Sequence, residues 1–496
     1  MPSKQNEQAT ADKFAAFVHK HHILAVYLII LILWLPYFSL PFSHDESVFL
    51  NVGKGITEGK QPYSDMFDNK GPVLYLFYSI LWFLFGTNSL GYRLVFFIIL
   101  LASGVLINRL SKFLFPEKNP RIAEISYLLL MSIPSVISFG MSEPIVNFFL
   151  LLAGVCAVKY ASCRKAAFLV LAGIFTSFAI HTNPIAIPAS FFIFWLVYEF
   201  ILPNPLRFSR ELLLFAIPFL LPFLLFFAYL LYANSLSDYW FVCISNSMPA
   251  LPVPNAAAFL TIGIIGLPLL GKDRKVLACF GITLFYLLVI PGASGFTSWD
   301  FLYHRSALFL PFFCLLLSNF SEKLKTRNEH LNCAFFILFV LCYLNSFFVS
   351  EGSHAVYNYD IDAYAQGSIS AHEELYSKFG KEINGKELAV FGYDVSPYIY
   401  LNAVNPTKYY YLISKFKGQA AINADIQKTY AEKQAAKPFD YLLIHEDFLN
   451  YQFVPQAINT SIQRGGYSLI YKKEFSTPSR RIDIELKSTL YLYKRT

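Results

Sequence analysis

HDESVFLNVGKGITEGKQPYSDMFDNKGP, running from His44 to Pro72, is a polar stretch held between two apolar ones, Ile23–Pro41 and Val73–Phe85. It contains His44, Asp45, Glu46, Lys54, Glu58, Lys60, Asp65, Asp68 and Lys70, in a chain that is 55% hydrophobic and only 15% charged. So dense a polar cluster beside two apolar runs points to chemistry at a membrane surface, because charge near hydrocarbon is costly and is kept where it acts.

Working outward, apolar runs of roughly 17–25 residues, the length that crosses about 30 Å of hydrocarbon, recur between Ile23 and Val349. A water-soluble fold has no place to hide that much apolar surface, so the reading is a polytopic helical membrane protein. The net charge of +7 over 496 residues is modest and spread over many short loops. That pattern sets membrane topology and gives no sign of nucleic-acid binding. The seven cysteines all lie in or beside apolar segments and none follows Cys342, so they read as small buried hydrophobes, with neither a disulfide framework nor a cysteine metal site. The polar start precedes a long first span without a small-residue cleavage pattern, which reads as an uncleaved anchor.

Lys4, Lys13 and Lys20 precede that first span, about 22–41, and positive charge is retained in the cytoplasm. The His44–Pro72 stretch therefore emerges on the outer face. The next apolar segment, GPVLYLFYSILWFLFG, has an apolar part of only about 14 residues, short for a crossing. Laid in the interface, it puts Arg109, Lys112, Lys118 and Arg121 inside after the span at about 93–114. Spans near 122–139, 145–160, 166–181, 185–202, 211–233, 256–270, 276–291, 306–320 and 331–349 then alternate so that four further basic loops also fall inside. The expectation is an all-α membrane domain of about eleven transmembrane helices over 1–349, with an interfacial helix in an external loop at 43–92.

Beyond Val349 the composition turns polar and no further membrane run occurs. LAVFGY (388–393) and FDYLLIHEDF (439–448) read as buried strands, Ala421–Ala436 as a helix, and YSLIYKKEF and STLYLYKR as closing strands. Residues 350–496 are expected to form a small external α/β domain.

Under this topology the external polar features gather at outer span ends. Asp45 and Glu46 directly follow the first span, and adjacent carboxylates at a helix start point about 100° apart. One can then face a cavity as a general base while the other binds a neighbour; a plain acidic pair capping the next helix is the competing reading. Lys70, before Gly71-Pro72, suits an anionic headgroup, against the alternative of a snorkelling lysine. His304-Arg305 lies where a span re-enters the membrane, and the guanidinium fork matches a phosphate or pyrophosphate. Glu143 reads equally as a site acid or as a helix-start acid favoured by the dipole, while His181 and Asn183 read as structural. His44, Asp45, Glu46 and Glu143 offer oxygen and nitrogen ligands without metal-motif spacing, so no metal is required, although a divalent cation stays open.

Asp45-Glu46, then Gly59-x-x-Pro62-Tyr63-x-Asp65, then Asp68-x-Lys70-Gly71-Pro72, resembles the first external loop of the GT-C glycosyltransferases. The branch it resembles most is family 39, the protein mannosyltransferase-like group that includes the bacterial lipid A aminoarabinose transferases. Those proteins carry an Asp-Glu pair after the first span and a Lys-Pro-Pro-like step before an interfacial helix; here Gly71 replaces the first proline. Ser142-Glu143-Pro144 resembles the fold's second acidic loop, and Tyr303-His304-Arg305 to Pro311 its late segment near the donor phosphate. The resemblance spans roughly residues 22–320. It implies transfer of a sugar from a polyprenyl-phosphate donor to a glycan, lipid or protein acceptor on the outer face of a bacterial inner membrane. Asp45 would then be the base, with Glu46 orienting it or binding the acceptor. Lys70, His304 and Arg305 would hold the phosphate, with His44, Tyr63, Asp65 and Glu143 lining the substrate site.

Two other classes compete. A transporter or flippase for lipid-linked glycans should show repeated halves and ionisable residues at mid-span, whereas these spans are clean in the middle. A non-catalytic membrane protein would use its external domain to bind a partner.

Overall fold

A computed structural model describes residues 24–39, 42, 44–132, 141–201, 205–245, 273–293, 307–325, 373–392, 395–410, 419–446, 454–479 and 484–496. The expected spans at 256–270 and 331–349, together with His304 and Arg305, lie outside the described residues, as does the side chain of His44.

The chain is mostly helical and ends in a small sheet. Helix α1 (Leu24–Ser39) is followed by α2 (His44–Thr57), α3 (Pro72–Phe85), α4 (Ser89–Leu114) and α5 (Pro120–Leu130). Next come α6 (Ser142–Cys163), α7 (Ala166–Thr182), α8 (Ile187–Ile201), α9 (Pro205–Tyr232), α10 (Arg274–Ala293) and α11 (Leu310–Lys325). Among the described residues three helices are long and apolar enough to cross a membrane: Ser89–Leu114, Ser142–Cys163 and Phe208–Tyr232. In α9 only 6% of the most apolar window is buried, and Leu213, Leu224 and Leu225 are exposed. An apolar surface of that kind is stable only against lipid, and the helix carries Pro218 and Pro222 in its interior.

Helix α3 has 14 residues, about 21 Å at 1.5 Å per residue, short of the roughly 30 Å of a bilayer core. Pro72 stands at its start, where a missing N–H costs nothing. Leu76, Ile80, Phe83 and Leu84 are exposed at helical spacing, giving α3 one outward apolar face. Its other face meets α2, and a Cβ on Gly53 would come within 2.6 Å of the Tyr78 backbone, so glycine is what lets the two backbones approach.

Helices α6, α7 and α9 pack in succession, with α4 against both α5 and α6 and α11 against α5. The C-terminal part carries a four-stranded sheet in the order β1-β2-β4-β3, from β1 (Leu388–Phe391), β2 (Tyr441–Glu446), β3 (Tyr467–Ser479) and β4 (Ile484–Arg495). Strands β1 and β2 are parallel, the other pairs antiparallel. All four β1 residues are buried, as a continuous apolar run requires. Helix α12 (Gln419–Ala436) precedes β2 and α13 (Gln456–Gln463) precedes β3. The expected strands and the expected helix therefore all form.

Candidate active site

The acidic pair opens α2, where the free N–H groups of a helix start favour negative charge. Its two members part at once. Glu46 is fully buried, and its two oxygens accept from Arg93 Nη1 at 2.5 Å and Nη2 at 2.8 Å. Arg93, on the second turn of α4, is equally buried. A two-pronged guanidinium–carboxylate pair fixes direction as well as distance, so it sets the rotation of α2 about its axis. Asp45, one residue earlier and about 100° around the helix, is half-buried. Tyr78 of α3 lies within electrostatic reach of both carboxylates.

Arg93 stands where the external loop at 43–92 meets the following span, and it is not among the site residues read from the sequence. The signal was present: an arginine four residues into a 26-residue apolar helix needs a counter-charge.

The loop after α2 is built around the main chain of Lys70. Tyr63 Oη donates to the Lys70 carbonyl at 2.9 Å, and the Lys70 N–H donates to Tyr75 Oη at 2.9 Å. Tyr75 in turn donates to buried Asp68 at 2.7 Å. Tyr63 sits at φ +73°, a left-handed conformation costing a non-glycine residue about 1–2 kcal/mol. Its ring is held among Tyr75, Phe226 and Tyr239, and its N–H donates to the Met66 carbonyl. Burial also pushes the Tyr63 hydroxyl well above the usual tyrosine range, so it serves as a donor. Among the described residues the Lys70 ammonium makes no hydrogen bond or ion pair. A rigid backbone with an uncommitted cation at the start of α3 is suited to an anion.

Gly71 ties this loop to α7. Its N–H donates to the Thr182 carbonyl at 3.2 Å, and a Cβ there would lie 1.8 Å from the His181 carbonyl oxygen. That close approach accounts for glycine where the resembled step has proline: a proline would bring both a Cβ and the loss of the N–H. One residue further, Asn183 donates to Ser142 Oγ at 2.8 Å, and Ser142 Oγ donates to Glu143 at 3.2 Å. The end of α7 thus brings Lys70 and the buried Glu143 into one wall. Below it, Asn147 donates to the Ala307 carbonyl at 2.7 Å, which ties α6 to the segment leading into α11. His181 itself packs on Phe223, ring centroids 4.1 Å apart, in keeping with a structural role.

Asp65 falls elsewhere. It is exposed, accepts from the Gln61 N–H at 2.8 Å, and lines a separate cleft with Lys54, Glu58 and Lys60. Burial lowers the Lys54 ammonium below the usual lysine range, opposed by the attraction of Glu58. Among the described residues no group of three or more His, Cys, Asp or Glu side chains is placed to hold a metal ion.

No protein-family model matches the sequence, and no curated protein sequence matches it. The crystal structure of ArnT from Cupriavidus metallidurans bound to undecaprenyl phosphate superposes with a TM-score of 0.58 at 12% identity, over 94% of this chain and 97% of that one. The apo form of the same protein gives 0.54 at 12% identity, over 96% and 98%. The chain has the fold of these structures, the GT-C fold, as the motifs around His44–Pro72 imply.

Proposed function

We propose that this membrane protein is a glycosyltransferase that takes a sugar from a polyprenyl-phosphate carrier and passes it to an acceptor hydroxyl on the outer face of the membrane. The observation that carries the reading is Lys70: its backbone is clamped by Tyr63 and Tyr75 while its ammonium has no partner among the described residues. A related fold that binds undecaprenyl phosphate gives the anion a chemical identity.

In this reading Asp45 takes the acceptor proton as the acceptor oxygen attacks the anomeric carbon. A new glycosidic bond forms, the bond from that carbon to the phosphate oxygen breaks, and polyprenyl phosphate leaves. Lys70, with His304 and Arg305, neutralises the charge that builds on the leaving phosphate. Glu46 acts through Arg93 by fixing α2, so that Asp45 stays aimed at the acceptor. Glu143 shares the wall that carries Lys70, and Tyr63 positions that lysine. The distribution of basic loops supports a cytoplasmic N-terminus and an external C-terminal domain over 350–496.

Binding of undecaprenyl phosphate to the full-length protein in nanodiscs, followed by native mass spectrometry, tests the phosphate site. A hydrogen bond to a charged group contributes about 1.5–3 kcal/mol, so Lys70→Met should weaken binding roughly 10- to 150-fold. Equal binding by wild type and Lys70→Met would remove Lys70 from the donor site.

A further inference from the structure

Residues 405–410 of the C-terminal part, NPTKYY, lie against the loop that carries Lys70. The segment is stiff by its own chemistry. Asn405 accepts at Oδ1 from the Thr407 N–H at 3.0 Å, the turn that an Asn-Pro step favours, and donates Nδ2–H to the Tyr409 carbonyl at 2.9 Å. Tyr430 of α12 donates to the same carbonyl at 2.8 Å. Lys408 is thereby fixed between a turn and a helix.

Both sides of the Lys70 loop meet at that residue. On one side the Lys408 carbonyl accepts from the Phe67 N–H at 2.8 Å, and the Phe67 and Tyr409 rings pack with centroids 5.1 Å apart. Asp68 follows, the carboxylate that receives the Tyr75 hydroxyl bound to the Lys70 N–H. Tyr410 is buried beside it: burial and then the charge of Asp68 push its hydroxyl well above the usual tyrosine range, so it stays protonated there. On the other side the Lys408 ammonium reaches Asp425 of α12 at 2.9 Å and Asp238 at 3.4 Å. Asp238 belongs to the single turn Leu236–Tyr239, and the Tyr239 ring packs on Tyr63 with centroids 5.1 Å apart. Tyr63 is the donor to the Lys70 carbonyl.

Charge explains why a cation stands at this junction. Asp238 and Asp425 lie within ion-pair distance of one ammonium, so without it two half-buried carboxylates face each other and repel. That repulsion acts to part the Leu236–Tyr239 turn from α12, and Tyr239 from Tyr63.

We propose that Lys408 is a positioning residue for the donor-phosphate site, through which the C-terminal part holds the Lys70 loop in its binding geometry. Its role in donor binding rests on the glycosyltransferase reading above; its hold on the loop rests on these contacts alone.

Two readouts on the full-length protein in nanodiscs test it: amide hydrogen exchange over residues 61–71, and undecaprenyl phosphate binding by native mass spectrometry. Lys408→Met should speed that exchange at least about fivefold and weaken binding by a similar factor. Lys408→Arg, which keeps a cation between the two carboxylates, should restore most of both, with circular dichroism showing that each variant is folded. Lys433→Met is the control. It breaks an ion pair with Glu387, 2.8 Å long and wholly within the C-terminal part, and should leave both readouts as in wild type. In a Lys70→Met background, Lys408→Met should weaken binding no further, since it acts through that lysine. Exchange over 61–71 unchanged in Lys408→Met overturns the proposal. So does equal acceleration in Lys433→Met, which would mark a general loosening of the C-terminal part. Full additivity with Lys70→Met overturns it too. Loop exchange that responds as expected while wild type binds no undecaprenyl phosphate would instead leave the hold on the loop standing and remove the donor reading.

Discussion

Replacing Arg93 by methionine would leave the Glu46 carboxylate fully buried with both of its guanidinium bonds gone. Removing one partner of a buried pair costs about 3–5 kcal/mol, because the remaining charge loses its close counter-ion where water does not replace it. That is roughly a hundred- to a few-thousand-fold in the folding equilibrium. An exposed pair such as Lys428–Glu432, 3.9 Å apart with both side chains about two-thirds exposed or more, contributes about 0–1 kcal/mol. Adding Glu46→Gln to Arg93→Met removes the buried charge as well as its guanidinium partner, so the double variant should recover much of the loss, with a coupling of about 0.5–3 kcal/mol. Reversible unfolding in mixed detergent and SDS micelles, followed by circular dichroism, measures all three variants. The functional effect should exceed the structural one: freeing α2 to rotate moves Asp45, and a displacement of about 1 Å at a reacting group can cost about a hundredfold in rate. A loss below about 1 kcal/mol for Arg93→Met, or strict additivity of the two substitutions, would refute the idea that this pair sets α2.

Gly71→Ala places a Cβ against the His181 carbonyl at 1.8 Å and should cost about 1–3 kcal/mol through overpacking. Gly71→Pro should cost about 1 kcal/mol more, since the N–H to Thr182 is lost; the same unfolding titration reads both, and wild-type stability in Gly71→Ala would contradict the close approach. The C-terminal part should show an acid transition with a defined sign. Burial raises the Asp425 carboxyl, but hydrogen bonds from Tyr409 and Lys408 outweigh it, so it sits below the ordinary aspartate range. Its contribution to stability is therefore complete above the unfolded value of about 3.9 and is lost as the pH falls through its lowered folded value. Thermal unfolding followed downward from pH 7 should show little change until about pH 4, then a drop in wild type that is smaller in Lys408→Met.

The fold was legible where local chemistry decides it. Pro72 announces the start of α3, the short apolar run that follows fixes its length, and the apolar runs LAVF and YLLI fix two strands of the sheet. The acidic pair was legible as a pair, because two carboxylates after an apolar run have few other uses. How the pair divides was not, since Glu46 and Arg93 meet across 47 positions of sequence. Nor was the strap formed by residues 395–410: Asn51 meets Val395, and Lys54 meets Tyr398, across 344 positions. Contacts of that kind follow from how whole elements pack, and no spacing or periodicity carries them. Asp65 shows the same limit from the other side: the sequence sets it in one motif with Lys70, and the fold turns it toward Lys54, Glu58 and Lys60.

The most direct measurement is mass spectrometry of the glycolipids, glycans and glycoproteins of cells carrying Asp45→Asn at the native locus, beside wild type. The expected result is the loss of one sugar modification together with accumulation of its polyprenyl-phosphate sugar, with the protein present at normal level in the membrane. Glycans and donor pools identical to wild type would contradict it.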